Sequence, residues 1–166
     1  MQPNFLFVIL AALIPTAVGM VWYNPKVMGS VWMKETGITQ DTPQPRSMVV
    51  VFGVSLLLSM MLAGSMLPVT IHQMGLHSML MDEPAMADPN SELSQTVASL
   101  MAKYGTNFRT FKHGALHGFI TSLFLLLPVI ATNGLFELKS WRYIGLNAAY
   151  WAICLTLMGG VICAFA

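Results

Sequence analysis

Four stretches of this chain, each about 20 residues long, contain no Asp, Glu, Lys or Arg. They cover about residues 5–23, 48–71, 113–132 and 143–165. A helix of roughly 20 apolar residues crosses the hydrocarbon core of a bilayer and satisfies its own backbone hydrogen bonds there. The composition agrees, since only 9% of the 166 residues are charged, against about a quarter in a typical soluble domain. The sequence therefore predicts an all-α integral membrane protein.

The expected architecture is a four-helix bundle that forms one transmembrane domain over residues 1–166. Helices in lipid approach closely where small residues recur on one face. Such residues recur every four positions in two of the stretches and predict close packing there: Gly114, Gly118 and Ser122, and Ser55, Ser59 and Ala63. Pro15 and Pro128 each remove a backbone donor, so each is expected to kink a span. The last stretch holds both cysteines, Cys154 and Cys163, on opposite helical faces, which predicts small apolar residues and no disulfide between them.

Basic residues are distributed unevenly between the two sides of this topology. Four spans put both termini on the same side as the connection between spans two and three. The first and third connections carry Lys26, Lys34, Arg46, Lys139 and Arg142, and the other side carries Lys103, Arg109 and Lys112. Because Lys and Arg accumulate in cytoplasmic loops, we expect the termini and the second connection to face the periplasm or exterior. The first stretch lacks the basic n-region of a signal peptide and is interpreted as a retained span.

The second connection is the longest and is expected to contain a helix of its own. Residues 91–104 place apolar side chains on one helical face, with Ser91 or Asn90 as the N-cap and Gly105 as the end. The segment is not basic, so binding to anionic lipid is not expected. We predict an amphipathic helix that lies across the end of the bundle as a lid.

Two blocks of sequence carry a family resemblance. The first is GMVWYNPKVMGSVWMKETG at residues 19–37, and the second is NGLFELKSWRYIGLNAAYWAICLTLMGG at residues 133–160. They resemble the signature blocks of the domain of unknown function 1761 family, which comprises small bacterial membrane proteins with four predicted spans. The matching residues are Trp22, Tyr23, Pro25, Gly29, Trp32, Asn133, Glu137, Asn147 and Tyr150. The resemblance implies a bacterial inner-membrane location and supplies no activity.

The matched residues also have a physical interpretation. Trp22 and Tyr23 fit an aromatic belt at the membrane interface, and Pro25 would end the helix. Asn147 is polar within a span and should face another helix. Asn133, Glu137 and Asn24 could form a hydrogen-bonded cluster that joins two connections. Many members of the family lack the long second connection, so FKHGALHG at residues 111–118 is interpreted as a feature of a subgroup that carries it.

All four histidines fall on the side of the second connection. His113 and His117 are four residues apart on one face of span three, and His72 and His77 follow span two. One interpretation is that they bond backbone carbonyls at helix ends. Another is a transition-metal site built on His113 and His117 with His72 or His77, to which Asp82 or Glu83 could add a carboxylate. A bundle cofactor such as haem or a quinone is a third.

Three functions remain open on the sequence alone. The leading hypothesis is a non-enzymatic structural, accessory or interaction subunit, in contact with the bilayer and forming a homo-oligomer or part of a membrane complex. The first alternative is a metal- or cofactor-binding membrane protein that uses the histidine cluster, and the second is an oligomeric transporter or channel for a small solute. No phosphate-binding loop or nucleophile elbow occurs, and no basic block predicts nucleic-acid binding.

Overall fold

The computed structural model of the chain describes residues 3–39 and 41–166. This part of the chain is built from helices and contains no strand. The α-helices are α1 (Phe5–Ala12), α2 (Ile14–Trp22), α3 (Ser30–Thr36), α4 (Met48–Thr70), α5 (Gln73–Met79), α6 (Glu92–Tyr104), α7 (Phe111–Thr121), α8 (Leu127–Phe136) and α9 (Trp141–Phe165). Two π-helical turns, Pro25–Gly29 and Ser122–Leu126, and one 3-10 turn, Pro84–Ala87, lie between them.

Four helical segments are long and apolar enough to cross a membrane. They are Phe5–Trp22, Met48–Thr70, Phe111–Phe136 and Trp141–Phe165, and their mean hydropathy lies between 1.9 and 2.3. The expected all-α bundle of four spans is confirmed, and the chain is a multi-pass membrane protein. Spans two and four are single helices, α4 and α9, whereas spans one and three are each divided.

Prolines lie where spans one and three are divided. Span one is interrupted at Leu13, and Pro15 is in the first turn of α2. Span three passes through the π-helical turn Ser122–Leu126, and Pro128 is in the first turn of α8. Proline has no N–H for the carbonyl four residues earlier and its ring crowds that carbonyl, so the regular hydrogen-bond pattern fails in the preceding turn. Both prolines thus lie next to an interruption of the regular helix, while Pro68 is accommodated inside α4; the kinks themselves stay a prediction.

The closest helix pair is α7 with α9, and glycines make this approach possible. A Cβ atom at Gly118 would overlap the carbonyl of Leu155, and one at Gly114 would overlap the carbonyl of Gly159. A Cβ at Gly160 would come within 2.7 Å of the Phe111 ring. Two helix backbones can meet this closely only where no side chain separates them.

The core of the bundle lies where α1, α4 and α9 meet. It consists of apolar side chains that are almost completely removed from the surface: Ala11, Ala12, Ala63, Met66, Ile71, Leu155, Met158 and Ile162. Span four contributes more buried residues than any other span, so it is the central helix around which the other spans pack. Both cysteines are free and buried on this helix, in agreement with the sequence.

The connections are held together by polar contacts at the end of the bundle opposite to His72. The hydroxyl of Ser140, the N-cap of α9, donates to the carboxylate of Glu35 in α3. The Tyr23 hydroxyl donates to Asn147 Oδ1 over 3.1 Å. The bond between Ser140 and Glu35 thus joins the first and third connections. That Asn133, Glu137 and Asn24 form a hydrogen-bonded cluster there stays a prediction.

The second connection contains α5, the 3-10 turn and α6. As expected, Ser91 is the N-cap of α6, and its side chain accepts a hydrogen bond from Ser94 N. Ser91 and Ser94 also donate to the carbonyl of Ala85, which fixes α6 to the 3-10 turn. That α6 covers the end of the bundle as a lid stays a prediction.

Candidate metal centre

Three of the four histidines converge at one end of the bundle. His72, His113 and His117 each offer a ring nitrogen, and these three atoms lie within 4.8 Å of one another. The ring centroids are 4.9 Å apart for His72 and either partner, and 4.6 Å apart for His113 and His117. His113 and His117 are partly buried and His72 is exposed, so the group lies at the surface of the bundle end.

Two separate segments position these rings. His113 and His117 lie in the first two turns of α7, where a spacing of four residues puts both side chains on one face. Thr110 is the N-cap of α7 and accepts a hydrogen bond from His113 N, which fixes the start of the helix. α4 ends at Thr70, and His72 follows as the N-cap residue of α5. The close packing of span three and of α4 on α9 brings the two segments together.

The rings already interact through their nitrogens. Nε2 of His72 and Nε2 of His113 are 2.8 Å apart, which is a hydrogen-bond distance. A neutral imidazole has one N–H and one lone pair, so one of these two atoms donates and the other accepts. For both Nε2 atoms to bind a metal ion, the shared hydrogen must move to the Nδ1 of the donor ring. Three metal-bound nitrogens stand about 3.3 Å apart in a tetrahedral site, so the pair would separate slightly.

Phe108 lies beside the histidines in an unusual backbone conformation. Its ring centroid is 5.0 Å from that of His113 and 6.3 Å from that of His72. Its φ angle is +62°, in the left-handed region that L-residues other than Asn and Asp seldom adopt. The Phe108 carbonyl accepts a hydrogen bond from the Cys163 thiol over 3.3 Å, so α9 helps to hold this turn in place. Strained residues of this kind concentrate at functional sites.

The next residue, Arg109, attaches the same turn to the end of α9. Its Nε donates to the carbonyl of Cys163 over 2.7 Å, and its guanidinium also donates to the carbonyl of Ala166. A cationic side chain at a helix C-terminus satisfies free carbonyls and interacts favourably with the helix dipole. The segment that leads into α7 is therefore fixed at two successive residues, and this fixes the orientation from which His113 and His117 project.

The donor set suits a first-row transition metal. Three neutral imidazoles are ligands that Zn²⁺, Cu²⁺, Ni²⁺ and Fe²⁺ accept, and they leave at least one coordination position for water or another ligand. Among the described residues, the group contains no carboxylate and no thiolate. Ca²⁺ and Mg²⁺ prefer oxygen ligands and do not fit this set.

The group does not include three other candidate ligands from the sequence, His77, Asp82 and Glu83. His77 lies in α5, and its Nε2 atom is buried without a hydrogen-bond partner in the described part of the chain. Asp82 and Glu83 are exposed in the segment after α5.

A second constellation of polar and aromatic side chains lies at the opposite end of the bundle. Asn147 Nδ2 donates to the Tyr143 carbonyl over 2.9 Å, while Asn147 Oδ1 accepts from Tyr23. The Tyr150 hydroxyl donates to the Pro15 carbonyl over 2.8 Å, next to the interruption of span one. The Tyr23 ring contacts Trp32 edge-on with centroids 5.6 Å apart. These contacts connect spans one and four through side chains of the two sequence blocks.

Residues 6–163 match the profile of a family described as Protein of unknown function (DUF1761). The chain belongs to this family. No curated protein and no solved structure matches it. The DUF1761 match covers nearly the whole chain and includes both blocks, so the network around Tyr23 and Asn147 lies within the family's sequence pattern. Because the family's description names no activity, the function must be argued from the geometry of this chain.

Two residues of the histidine site could not be identified from the sequence of this chain alone. Phe108 and Cys163 carried no motif, and nothing in the sequence signals a left-handed phenylalanine. The available signal for Phe108 was its place between Asn107 and the N-cap Thr110, a short segment that must reverse the chain into α7.

Proposed function

We propose that this protein is a metal-binding membrane protein that holds one first-row transition-metal ion between His72, His113 and His117. The observation that supports this proposal is the convergence of three ring nitrogens within 4.8 Å. Histidines that only bond backbone carbonyls have no reason to meet, because each would turn toward its own carbonyl. Here the side chains come from two segments 41 residues apart and face one another.

The other hypotheses have less support in this geometry. An accessory subunit predicts histidines that point apart or into backbone bonds. A transporter predicts a polar path through the bundle, whereas the centre between α1, α4 and α9 is occupied by Ala12, Ala63, Met66 and Leu155. The three histidines could instead hold spans two and three together through a hydrogen bond, and the experiment below separates that role from metal binding.

The test is elemental analysis and metal titration of the protein, purified in detergent through an affinity tag without histidine. We expect near-stoichiometric zinc, copper, nickel or iron in the wild type, and a Co²⁺ absorption spectrum typical of nitrogen ligands in the metal-depleted protein. His113→Ala/His117→Ala and His72→Ala should lose both signals. His77→Ala is the matched control, since it removes an imidazole from the same connection outside the group, and it should retain both.

The outcome that contradicts the proposal is equally specific. If wild-type protein contains no metal and gives no Co²⁺ spectrum, and if His72→Ala only lowers the melting temperature, the histidines join helices and do not bind an ion. If His77→Ala abolishes binding as fully as His72→Ala does, the ligand set is wrong.

We further propose that the protein lies in a bacterial inner membrane with the histidine site on the exterior face. The basic residues support this orientation, since five of the eight belong to the first and third connections, at the opposite end. A site on that face would take its metal from outside the cytoplasm. Self-association within the membrane also remains a proposal.

A further inference from the structure

A groove of about 600 Å³ opens between α2 and α4, far from the histidines. The second half of span one and the first half of span two form its walls, and Tyr150 and Trp151 of α9 form its floor. Its volume lies within the range of small-molecule sites, roughly 300–1,000 Å³. Since α2 and α4 both belong to membrane spans, the groove faces the lipid.

Hydroxyl groups in this groove differ from most of those elsewhere in the described spans, where Thr132 is an exception. Side chains of Ser65, Thr70, Thr121, Ser122 and Thr156 each donate to a carbonyl of their own helix. This is the usual way in which a hydroxyl is satisfied in lipid, where water is absent. In the described part of the chain, Thr16, Ser55 and Ser59 make no such bond, and all three line the groove.

Ser59 is the most informative of the three hydroxyls. It is only 6% exposed, and in the described part of the chain no partner satisfies it. The Ser59 oxygen is not one of the fully buried polar atoms that lack a partner in the described part of the chain, so it keeps access to the groove that the residue lines. Its neighbour Ser55, one turn earlier, was expected to pack against another helix and is exposed to the groove instead. Two hydroxyls one turn apart are thus available to a ligand that enters from the membrane.

Aromatic rings form much of the remaining surface. The Tyr23 and Tyr150 rings lie 5.2 Å apart, and their hydroxyls are already bonded to Asn147 and to the Pro15 carbonyl. Their polar atoms are therefore satisfied within the protein, and what they offer the groove is ring surface. Phe52 and Trp151 add two more rings. Flat aromatic surfaces favour stacking with a flat ligand ring.

We propose that this groove binds a lipid-soluble ligand with a flat ring that carries carbonyl or hydroxyl oxygens, of the isoprenoid quinone class. The oxygens would bond Thr16, Ser55 and Ser59, the ring would lie against the aromatic side chains, and the tail would leave between α2 and α4 into the lipid. A plain acyl chain fills apolar space but offers nothing to the hydroxyls. This site is separate from the histidine cluster and does not depend on metal binding.

The test is equilibrium binding of tritiated decylubiquinone to the full-length protein in nanodiscs, with empty nanodiscs subtracted to remove partitioning into lipid. We expect saturable binding at about one molecule per protein. Ser55→Phe should abolish it by filling the groove. Ser65→Phe should leave it unchanged, because Ser65 is also exposed on the same helix but lies outside the groove. Ser59→Ala removes one hydrogen bond with little change in volume and should weaken binding about 5- to 10-fold.

Three results would overturn the proposal. Binding that rises linearly and equals that of empty nanodiscs means partitioning only. Displacement by decanol as effective as displacement by unlabelled quinone means a site for an acyl chain. A dimer in nanodiscs that Ser55→Phe converts to a monomer, without quinone binding by either form, means that a second copy of the chain occupies the groove.

Discussion

Phe108 combines an unfavourable backbone conformation with a position beside the histidine rings. A left-handed conformation costs an L-residue roughly 1–2 kcal/mol, and only the surroundings can maintain it. Here the Cys163 thiol bonds the Phe108 carbonyl and Arg109 bonds the end of α9. The Phe108 side chain is 64% exposed, so burial of the ring repays little of this cost. Its contacts with His113 and His72 are therefore the better explanation for a phenylalanine here.

Replacement of Phe108 by glycine should separate backbone strain from a role at the site. We expect Phe108→Gly to keep the free energy of unfolding or raise it by about 1 kcal/mol, because glycine adopts this conformation freely. If the metal site is present, loss of the apolar ring should speed Zn²⁺ dissociation about tenfold, since the shell around a metal controls access to it. Thermal unfolding and chelator-driven release measure the two effects.

The matched control for this prediction is Leu138→Gly. Leu138 is the other non-glycine residue with positive φ in the described part of the chain, and it is 92% exposed in the third connection. Leu138→Gly should likewise keep or raise the free energy of unfolding, and it should have no effect on the rate of metal release. Faster release in both variants would mean that Phe108 has no specific part in the site.

At the scale of helices, the contact between α7 and α9 controls the histidine site. Gly114 and Gly118 face α9 with their backbones in contact with it, and they alternate along α7 with His113 and His117. One helical face thus packs against α9 while the adjacent face presents imidazoles to His72. Any change that moves α7 away from α9 should also move the two rings away from the third.

Gly118→Ala should therefore destabilise the protein and disturb the site together. The new Cβ would overlap the Leu155 carbonyl, a backbone atom that cannot turn aside, so we expect a loss of about 1–3 kcal/mol. Gly64→Ala on α4 is the control, since a Cβ there meets nothing within 4 Å and should be neutral or slightly stabilising. Denaturant titration in mixed micelles measures both. Equal effects would mean that close backbone packing is unimportant here.

At the scale of the whole molecule, the two ends of the bundle differ in chemistry. One end carries the imidazoles and the fixed turn at Phe108 and Arg109. The other carries the Tyr23–Asn147 network, the bond between Ser140 and Glu35, and most of the basic residues. The hydroxyl-lined groove opens in the half of the bundle next to this second end. Such asymmetry makes the orientation in the membrane functionally important, because only one end can meet metal from outside.

Cysteine labelling should establish this orientation. Cys154 and Cys163 are 0% exposed and should react little, so a new surface cysteine can be read against a low background. We expect a membrane-impermeant maleimide to label Asn90→Cys in intact cells and Thr42→Cys only after lysis, as the distribution of basic residues predicts. Both positions are exposed. The reverse pattern would put the histidine site in the cytoplasm and contradict the proposed location.

The sequence by itself determined the features that depend on local chemistry. Charged groups are costly in lipid, and four stretches that are long, apolar and uncharged are what membrane spans require. Helical periodicity put His113 beside His117, and small residues at four-residue spacing marked the face of span three that packs. The caps of α6 and the effects of Pro15 and Pro128 are equally local, since each depends on backbone groups within one turn.

Only the tertiary structure decided which distant residues meet. His72 joins His113 across 41 residues, while His77, five positions later, does not belong to the group. Ser59 is buried while Ser55, in the same stripe, is exposed, although both line the groove. The left-handed Phe108 is maintained by bonds to α9, more than 50 residues away. Such outcomes depend on how whole helices pack, and packing sums many weak contacts from separate spans, which no local pattern encodes.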